Sequence, residues 1–327
     1  MIGLRRKKHT TWKTVLIELA NRPGVTMFLG ASDTGKTTCL RAAAVHLTRA
    51  GLLPLAIVDA DIGQSTIGPP TTVGLTLVTK QNIRAVLSGR FACHAMRFIG
   101  ALSPVGHLLP TIVATKKLVD KAVWRGTRAV LVDTTGLIGG RVGFQLKINK
   151  IELLAPCHLV ALQHEGELEE VLSVLADRRG LSVHRLAVSC QLRARSAAER
   201  YRYRTSRFAC YFSSATRCRL EMKNLSILST PAGSPKLARE SLSQIVSLES
   251  FPAQSLAGCL VGLNNASNET LGLGLLDAVS GQNQKVTIFT PLRQLSRVRI
   301  LQLSNIRLAR TGEELGRAES QIDNASN

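Results

Sequence analysis

Gly30-Ala31-Ser32-Asp33-Thr34-Gly35-Lys36-Thr37 reads G-x-x-x-x-G-K-T, and its two flanks give the pattern its meaning. Val25 to Leu29 is a short apolar run suited to a buried strand, and Thr38 to Ala50 carries Leu40, Ala44, Val45 and Leu47 at helical spacing. Strand, glycine-rich turn and helix together predict a phosphate-binding P-loop, a context that a chance Gly-Lys-Thr turn would lack. The glycines let the backbone curl so that successive N–H groups converge on a phosphate chain in front of a helix N-terminus. Residues 30–38, from Gly30 to Thr38, are the expected nucleotide cradle. Lys36 would place a cation on the outer phosphates, and the Thr37 hydroxyl is a candidate Mg²⁺ ligand.

Outward from the loop, apolar runs alternate with helical patterns. Trp12, Val15, Leu16 and Leu19 predict an amphipathic helix over Thr10 to Ala20. Leu55 to Asp59 and Ala129 to Asp133 are buried strands that end in acid, and His158 to Leu162 and Leu181 to Val188 are two more strands. Helices are expected from about His107 to Trp124, with Pro110 in the first turn, and over Glu165 to Asp177. This alternation predicts an α/β P-loop NTPase fold, a mostly parallel sheet with helices on both faces. From Cys218 the pattern changes to short strands, clearest at 271–276, 286–290 and 298–303, with turns such as Ser280-Gly281-Gln282-Asn283. The expected organisation is a basic segment and helix (1–24), a P-loop domain (25–215), a small C-terminal all-β domain (216–315) and a flexible tail (316–327). The polar end is expected to fray from about Thr311.

Composition bounds the partners. The 327 residues hold 42 Lys and Arg against 22 Asp and Glu, a net charge of +20, which favours polyanions such as nucleic acid. Aromatics are only 4%, too few for a surface that binds single strands through many stacking platforms. The seven cysteines are scattered, without C-x-x-C pairs or zinc-site spacing, which fits reduced core thiols in an intracellular protein. Neither a signal-peptide core nor a membrane-spanning run is present, so a soluble cytoplasmic protein, or a nuclear one in a eukaryote, is expected.

Asp59-Ala60-Asp61-Ile62-Gly63-Gln64 follows the second strand, where residues of a parallel sheet face the ligand crevice. Two acids one residue apart can divide the work, one in a Mg²⁺ shell and the other as general base. Asp133-Thr134-Thr135-Gly136 closes the next acid-ending strand, so Asp59, Asp61 and Asp133 compete for the metal-linked role. The D-x-x-G at Asp133 also matches a GTPase switch. That alternative needs a guanine-reading motif after a strand, and Asn149-Lys150-Ile151-Glu152 ends in Glu and falls in a helical stretch. Arg193, Arg195, Arg200, Arg202, Arg204 and Arg207 form a basic run. It could clamp a transferring phosphoryl group or simply touch a phosphate backbone.

These motifs in this order resemble the polynucleotide 5′-hydroxyl kinase family, which includes the RNA kinase subunit of the pre-mRNA cleavage complex and the nucleolar pre-rRNA kinase. The likeness rests on the P-loop, the D-x-D-x-G-Q at 59–64, Gly100-Ala-Leu-Ser103-Pro104, Thr134-x-Gly136, the arginine run, Leu260-Val-Gly-Leu, Leu271-Gly-Leu-Gly-Leu and Thr290-Pro291. It implies transfer of the γ-phosphate of ATP, with Mg²⁺, to the 5′-hydroxyl of RNA or DNA, and RNA-processing proteins as candidate partners. By resemblance Lys36 holds phosphates, Thr37 and Asp59 serve the metal, Asp61 is the base, and Arg195 and Arg200 close as a lid. Gln64, Ser103, Thr134, Gly136 and Leu137 would serve the acceptor. Position 137 is Leu where the family clasp often has Trp, and the chain resembles a short, prokaryotic-type form without the extra N-terminal domain. A non-catalytic, ATP-bound scaffold subunit is the alternative within the family.

Overall fold

The apolar run before the glycine-rich loop becomes β1 (Val25–Leu29), preceded by α1 (Trp12–Asn21), whose N-cap Thr11 accepts from the Thr14 backbone N–H. The computed structural model describes residues 10–190, 192–229, 256–280 and 285–317. After β1 come α2 (Lys36–Arg49), β2 (Leu55–Ala60), β3 (Thr72–Val78), α3 (Ile83–Leu87), β4 (Ala95–Phe98) and α4 (Leu108–Trp124). Then follow β5 (Ala129–Thr134), α5 (Gly140–Leu154), β6 (His158–Gln163), α6 (Glu169–Val174), β7 (Ser182–Ala187) and α7 (Ala197–Phe212). The remaining strands are β8 (Thr216–Glu221), β9 (Ser226–Ser229), β10 (Cys259–Asn264), β11 (Thr270–Ser280), β12 (Lys285–Thr290), β13 (Ile300–Leu308) and β14 (Glu314–Arg317).

The described residues divide into two compact units, each discontinuous in sequence: those within 1–61, 75–94 and 115–195 form the first, and those within 62–74, 95–114 and 196–327 the second. In the first unit the strand order is β2-β5-β1-β6-β7, with every one of these pairs parallel. All six residues of β2, of β5 and of β6 are buried. A parallel strand covered on both faces reads as a continuous apolar run rather than an alternation, which is why these segments stand out in the sequence. The register aligns Phe28 with Asp133 and Asp133 with Asp59, so the ends of three neighbouring strands are level.

The second unit is built on antiparallel pairs. β11 pairs with β4, β10 and β12, β10 with β13, β12 with β8, and β13 with β14, while β9 joins β13 in parallel. Phe208 and Phe212 of α7 pack with Phe98, Leu260, Leu273 and Leu275, so the arginine-rich helix contributes core to this unit.

Two sequence expectations change. The helix expected over Glu165 to Asp177 shrinks to α6, because the Glu167 carboxylate accepts the backbone N–H groups of His164 and Glu165 and holds a turn there. The polar end expected to fray from Thr311 is ordered to Arg317, with Leu308 paired to Glu314. The turn at Ser280-Gly281-Gln282-Asn283, the basic Met1 to Lys8 and residues 318–327 lie wholly or partly outside the described residues. All seven cysteines are free, and no helix among the described residues is long and apolar enough to cross a membrane.

Candidate active site

Gly35 takes φ +85°, a left-handed conformation that suits glycine, and turns the loop into the first residue of α2. Within the loop Thr34 Oγ1 donates to the Ala31 carbonyl at 2.9 Å, and Lys36 Nζ reaches the same oxygen at 2.6 Å. Lys36 is only 6% exposed. Burial lowers its pKa, opposed by the charges of Asp133, Asp61 and Asp33. Ser32 and Thr38 are exposed. Asp33, itself at φ +62°, receives Arg195: the backbone N–H reaches Oδ2 at 3.0 Å and Nε reaches Oδ1 at 2.8 Å.

Of the three competing acids, Asp133 touches the loop. Thr37 Oγ1 donates to Asp133 Oδ2 at 2.5 Å. Asp133 Oδ1 is buried and has no hydrogen-bond partner among the described residues. Burial raises the pKa of Asp133 and the neighbouring Asp59 charge raises it further, against the Thr37 hydrogen bond and Lys36. Asp59 stands beside Asp133 across the β2–β5 pairing, and its Oδ1 accepts the Asp61 backbone N–H at 3.0 Å. A buried carboxylate oxygen without a donor, next to a hydroxyl, is a donor set that fits a hard cation such as Mg²⁺. Such an ion typically takes one or two protein carboxylates together with substrate phosphates. The described residues contain no group of three or more His, Cys, Asp or Glu that could hold a metal.

The segment from Thr134 to Gly136 closes against this loop. A Cβ at Gly136 would lie 2.3 Å from the Ser32 nitrogen, so only glycine allows this approach. Thr134 is buried and donates to the Phe28 carbonyl at 2.7 Å, and Leu137 beyond it is half-buried. Behind this segment are two buried lysines that the sequence reading did not single out. Lys147 and Lys150 on α5 are both 0% exposed. Lys147 Nζ donates to Thr134 Oγ1 at 3.0 Å and to the Thr135 carbonyl at 2.5 Å. Lys150 Nζ has no hydrogen-bond partner among the described residues. Burial pushes its pKa down to about 8, against the charges of Asp61, Asp59 and Asp133. A signal was available, because Leu146, Lys147, Lys150, Ile151 and Leu154 share the spacing of one buried helical stripe.

The first unit thus assembles Gly30 to Thr38, Asp59, Asp61, Asp133, Thr134, Gly136, Leu137 and Arg195. Gln64, Ser103 and Arg200 belong to the second. There Gln64 Nε2 donates to the Gly63 carbonyl at 2.9 Å, the exposed Ser103 accepts from the Val105 N–H at 3.2 Å, and Arg200 is half-buried in the first turn of α7. α7 opens with a capping box, Ser196 with Glu199. The later arginines of the run are tied to protein. Arg207 donates to the Thr66 and Gly68 carbonyls at 3.1 and 2.7 Å, and Arg204 pairs with Glu314 at 2.7 Å. Arg204 and Arg207 therefore make their contacts within the second unit.

A glycine-rich loop between parallel strand and helix, its lysine, and a hydroxyl paired with a strand-end aspartate define a P-loop nucleotide-binding protein. The chain belongs to the family described as mRNA cleavage and polyadenylation factor CLP1 P-loop, whose model matches residues 30–214. It is 28% identical to a polyribonucleotide 5′-hydroxyl-kinase of Pyrococcus furiosus over 90% of both chains. A protein of the same name from Methanocaldococcus jannaschii is 28% identical over 92% of this chain and 91% of its own. The Brugia malayi protein CLP1 homolog is 24% identical over 92% of this chain and 74% of its own. Among solved structures the wild-type Clp1p–Pcf11p complex matches in fold, with a TM-score of 0.64 at 12% identity, covering 92% of this chain and 80% of the other.

Proposed function

We propose that this protein is an ATP-dependent kinase that moves the γ-phosphate of ATP onto the 5′-hydroxyl of RNA, with DNA as the alternative acceptor. The observation that carries the reading is the meeting of Lys36, the Thr37–Asp133 pair and Asp59–Asp61 at level strand ends. It is supported by the names of relatives that match nine-tenths of the chain.

The N–H groups of the loop would cradle the phosphates, and Lys36 would exchange the Ala31 carbonyl for an outer phosphate oxygen. Thr37, Asp133 and Asp59 would hold Mg²⁺, which when bound would supply neutralisation of the phosphate charge. Asp61 accepts the proton of the attacking 5′-hydroxyl, a role worth about 10²–10⁴ in rate. Arg195, once released from Asp33, and Arg200 stabilise the charge on the transferring group. Gln64, Ser103, Thr134, Gly136 and Leu137 serve the acceptor end, where Leu137 offers an aliphatic rather than an aromatic contact.

The test uses γ-labelled ATP or GTP with 5′-hydroxyl RNA and DNA oligonucleotides, comparing wild type, Lys36→Ala and Asp61→Asn. Label is expected on the oligonucleotide with wild type and at most in traces with either variant. No transfer to any oligonucleotide at substantial enzyme concentration overturns the kinase reading. Transfer undiminished in Asp61→Asn overturns only the base assignment.

A further inference from the structure

A lysine ammonium taken out of water loses its hydration, and a fold normally returns hydrogen bonds in exchange. Lys147 follows that rule through Thr134 and Thr135. Lys150, one turn further along α5, does not, since its Nζ is fully buried without a hydrogen bond among the described residues. The favourable influences on its charge are the carboxylates of Asp61, Asp59 and Asp133. Two of these acids, Asp133 and Asp61, act in the same sense on Lys36 of the P-loop. The acid group is therefore shared by a loop lysine and a lysine rooted in the core.

We propose that Lys150 is a positioning residue for the nucleotide: its fixed positive charge balances the Asp59, Asp61 and Asp133 carboxylates from inside the protein, so that a triphosphate meets a tempered rather than a full negative charge. The inference rests on the reading that this loop binds ATP with Mg²⁺. The carboxylates of Asp133, beside Thr37, and of Asp59 and Asp61 attract a divalent cation but repel the phosphates that accompany it, and in a partly desolvated site both effects are large. A cation built into the wall shifts the two in opposite directions. It favours the polyphosphate and weakens the grip on the metal.

That opposition gives a signature that a structural role lacks. Lys150→Met shortens the side chain by only one atom, deletes the charge and breaks no hydrogen bond. Removing one partner of a buried charge group leaves the others uncompensated and is usually destabilising. ATP binding is measured calorimetrically without any oligonucleotide, once in EDTA and once across a Mg²⁺ titration, together with the melting temperature of the ligand-free chain. In Lys150→Met the Kd for ATP in EDTA is expected to rise about tenfold, and the Mg²⁺ concentration at half-maximal enhancement of ATP binding to fall about threefold. The melting temperature of the ligand-free chain should fall. Lys150→Leu, uncharged and differently shaped, should repeat both shifts.

A Mg²⁺ midpoint that rises or stays put overturns the proposal, as do shifts that appear in one variant only. A lowered melting temperature with ATP and Mg²⁺ binding unchanged also overturns it, by assigning Lys150 to the architecture of α5, and so does failure of both variants to fold. Because no acceptor is present, a chain that phosphorylates no oligonucleotide would sink the kinase reading while leaving this test intact.

Discussion

A methyl group at position 136 would lie 2.3 Å from the nitrogen and the hydroxyl oxygen of Ser32, so the segment after β5 and the phosphate loop cannot be altered separately there. Gly136→Ala must push the two apart, at about 1–3 kcal/mol for this kind of overpacking. ATP affinity and phosphate transfer should both fall. An unchanged Kd for ATP with reduced transfer would show that the loop absorbs the clash without moving. Asp133 makes a second claim at this scale, because burial and the Asp59 charge push its pKa up to about 7 from 3.8. Between those values the folded, metal-free chain keeps a proton that the unfolded chain has released. The resulting stability is complete below about pH 4 and is lost as the pH rises through about 7, at no more than about 1.4 kcal/mol per unit for one group. Melting curves in EDTA should therefore decline toward neutrality in wild type and decline less in Asp133→Asn. Parallel curves would rule Asp133 out as the titrating group.

At the scale of the element, α7 carries two kinds of arginine. Arg207 donates to the Thr66 and Gly68 carbonyls, in the segment just after Gln64, whereas Arg200 sits in the capped first turn. Arg207→Ala removes charge-assisted hydrogen bonds worth about 1.5–3 kcal/mol each and should lower the melting temperature. Arg200→Ala should reduce turnover more than ATP binding. Equal losses of turnover and binding would make Arg200 a simple binding group. The sequence shows an even string of arginines and does not distinguish these roles, because each depends on which carbonyl or carboxylate the fold brings within reach. Local devices were legible. β1, the loop and α2 are contiguous, and the strands ending in Asp59 and Asp133 betray themselves by continuous apolarity. The contact that orders the acids, Thr37 to Asp133, is not local. It exists because β5 is inserted between β1 and β2, and a strand order of that kind is set by long-range pairing. The buried lysines were hidden for a related reason, since ammonium groups in an apolar stripe read as surface until the acids opposite them are placed.

At the scale of the molecule, the net charge of +20 has to find a counterpart if the chain handles nucleic acid. Some of the basic groups are already spent within the protein: Arg217 and Arg310 both pair with Asp277, Arg185 with Glu169 and Arg204 with Glu314. The remainder can act on an acceptor strand only through its phosphates, because scarce aromatics leave little stacking to compete with that term. For a single strand each neutralised phosphate contributes about −0.7 to the slope of log K against log salt. Binding of 5′-hydroxyl RNA should therefore weaken steeply with salt, and the slope should be larger for a twenty-nucleotide strand (about 20 nucleotides) than for one of about four. ATP affinity, set by the loop and Lys36, should change far less over the same range. Filter binding or anisotropy with the two lengths, from low to physiological salt, separates the outcomes. Equal slopes for the two lengths would confine the contact to the first few nucleotides beside the clasp, and a flat response for both would mean that the surface charge does not serve the acceptor.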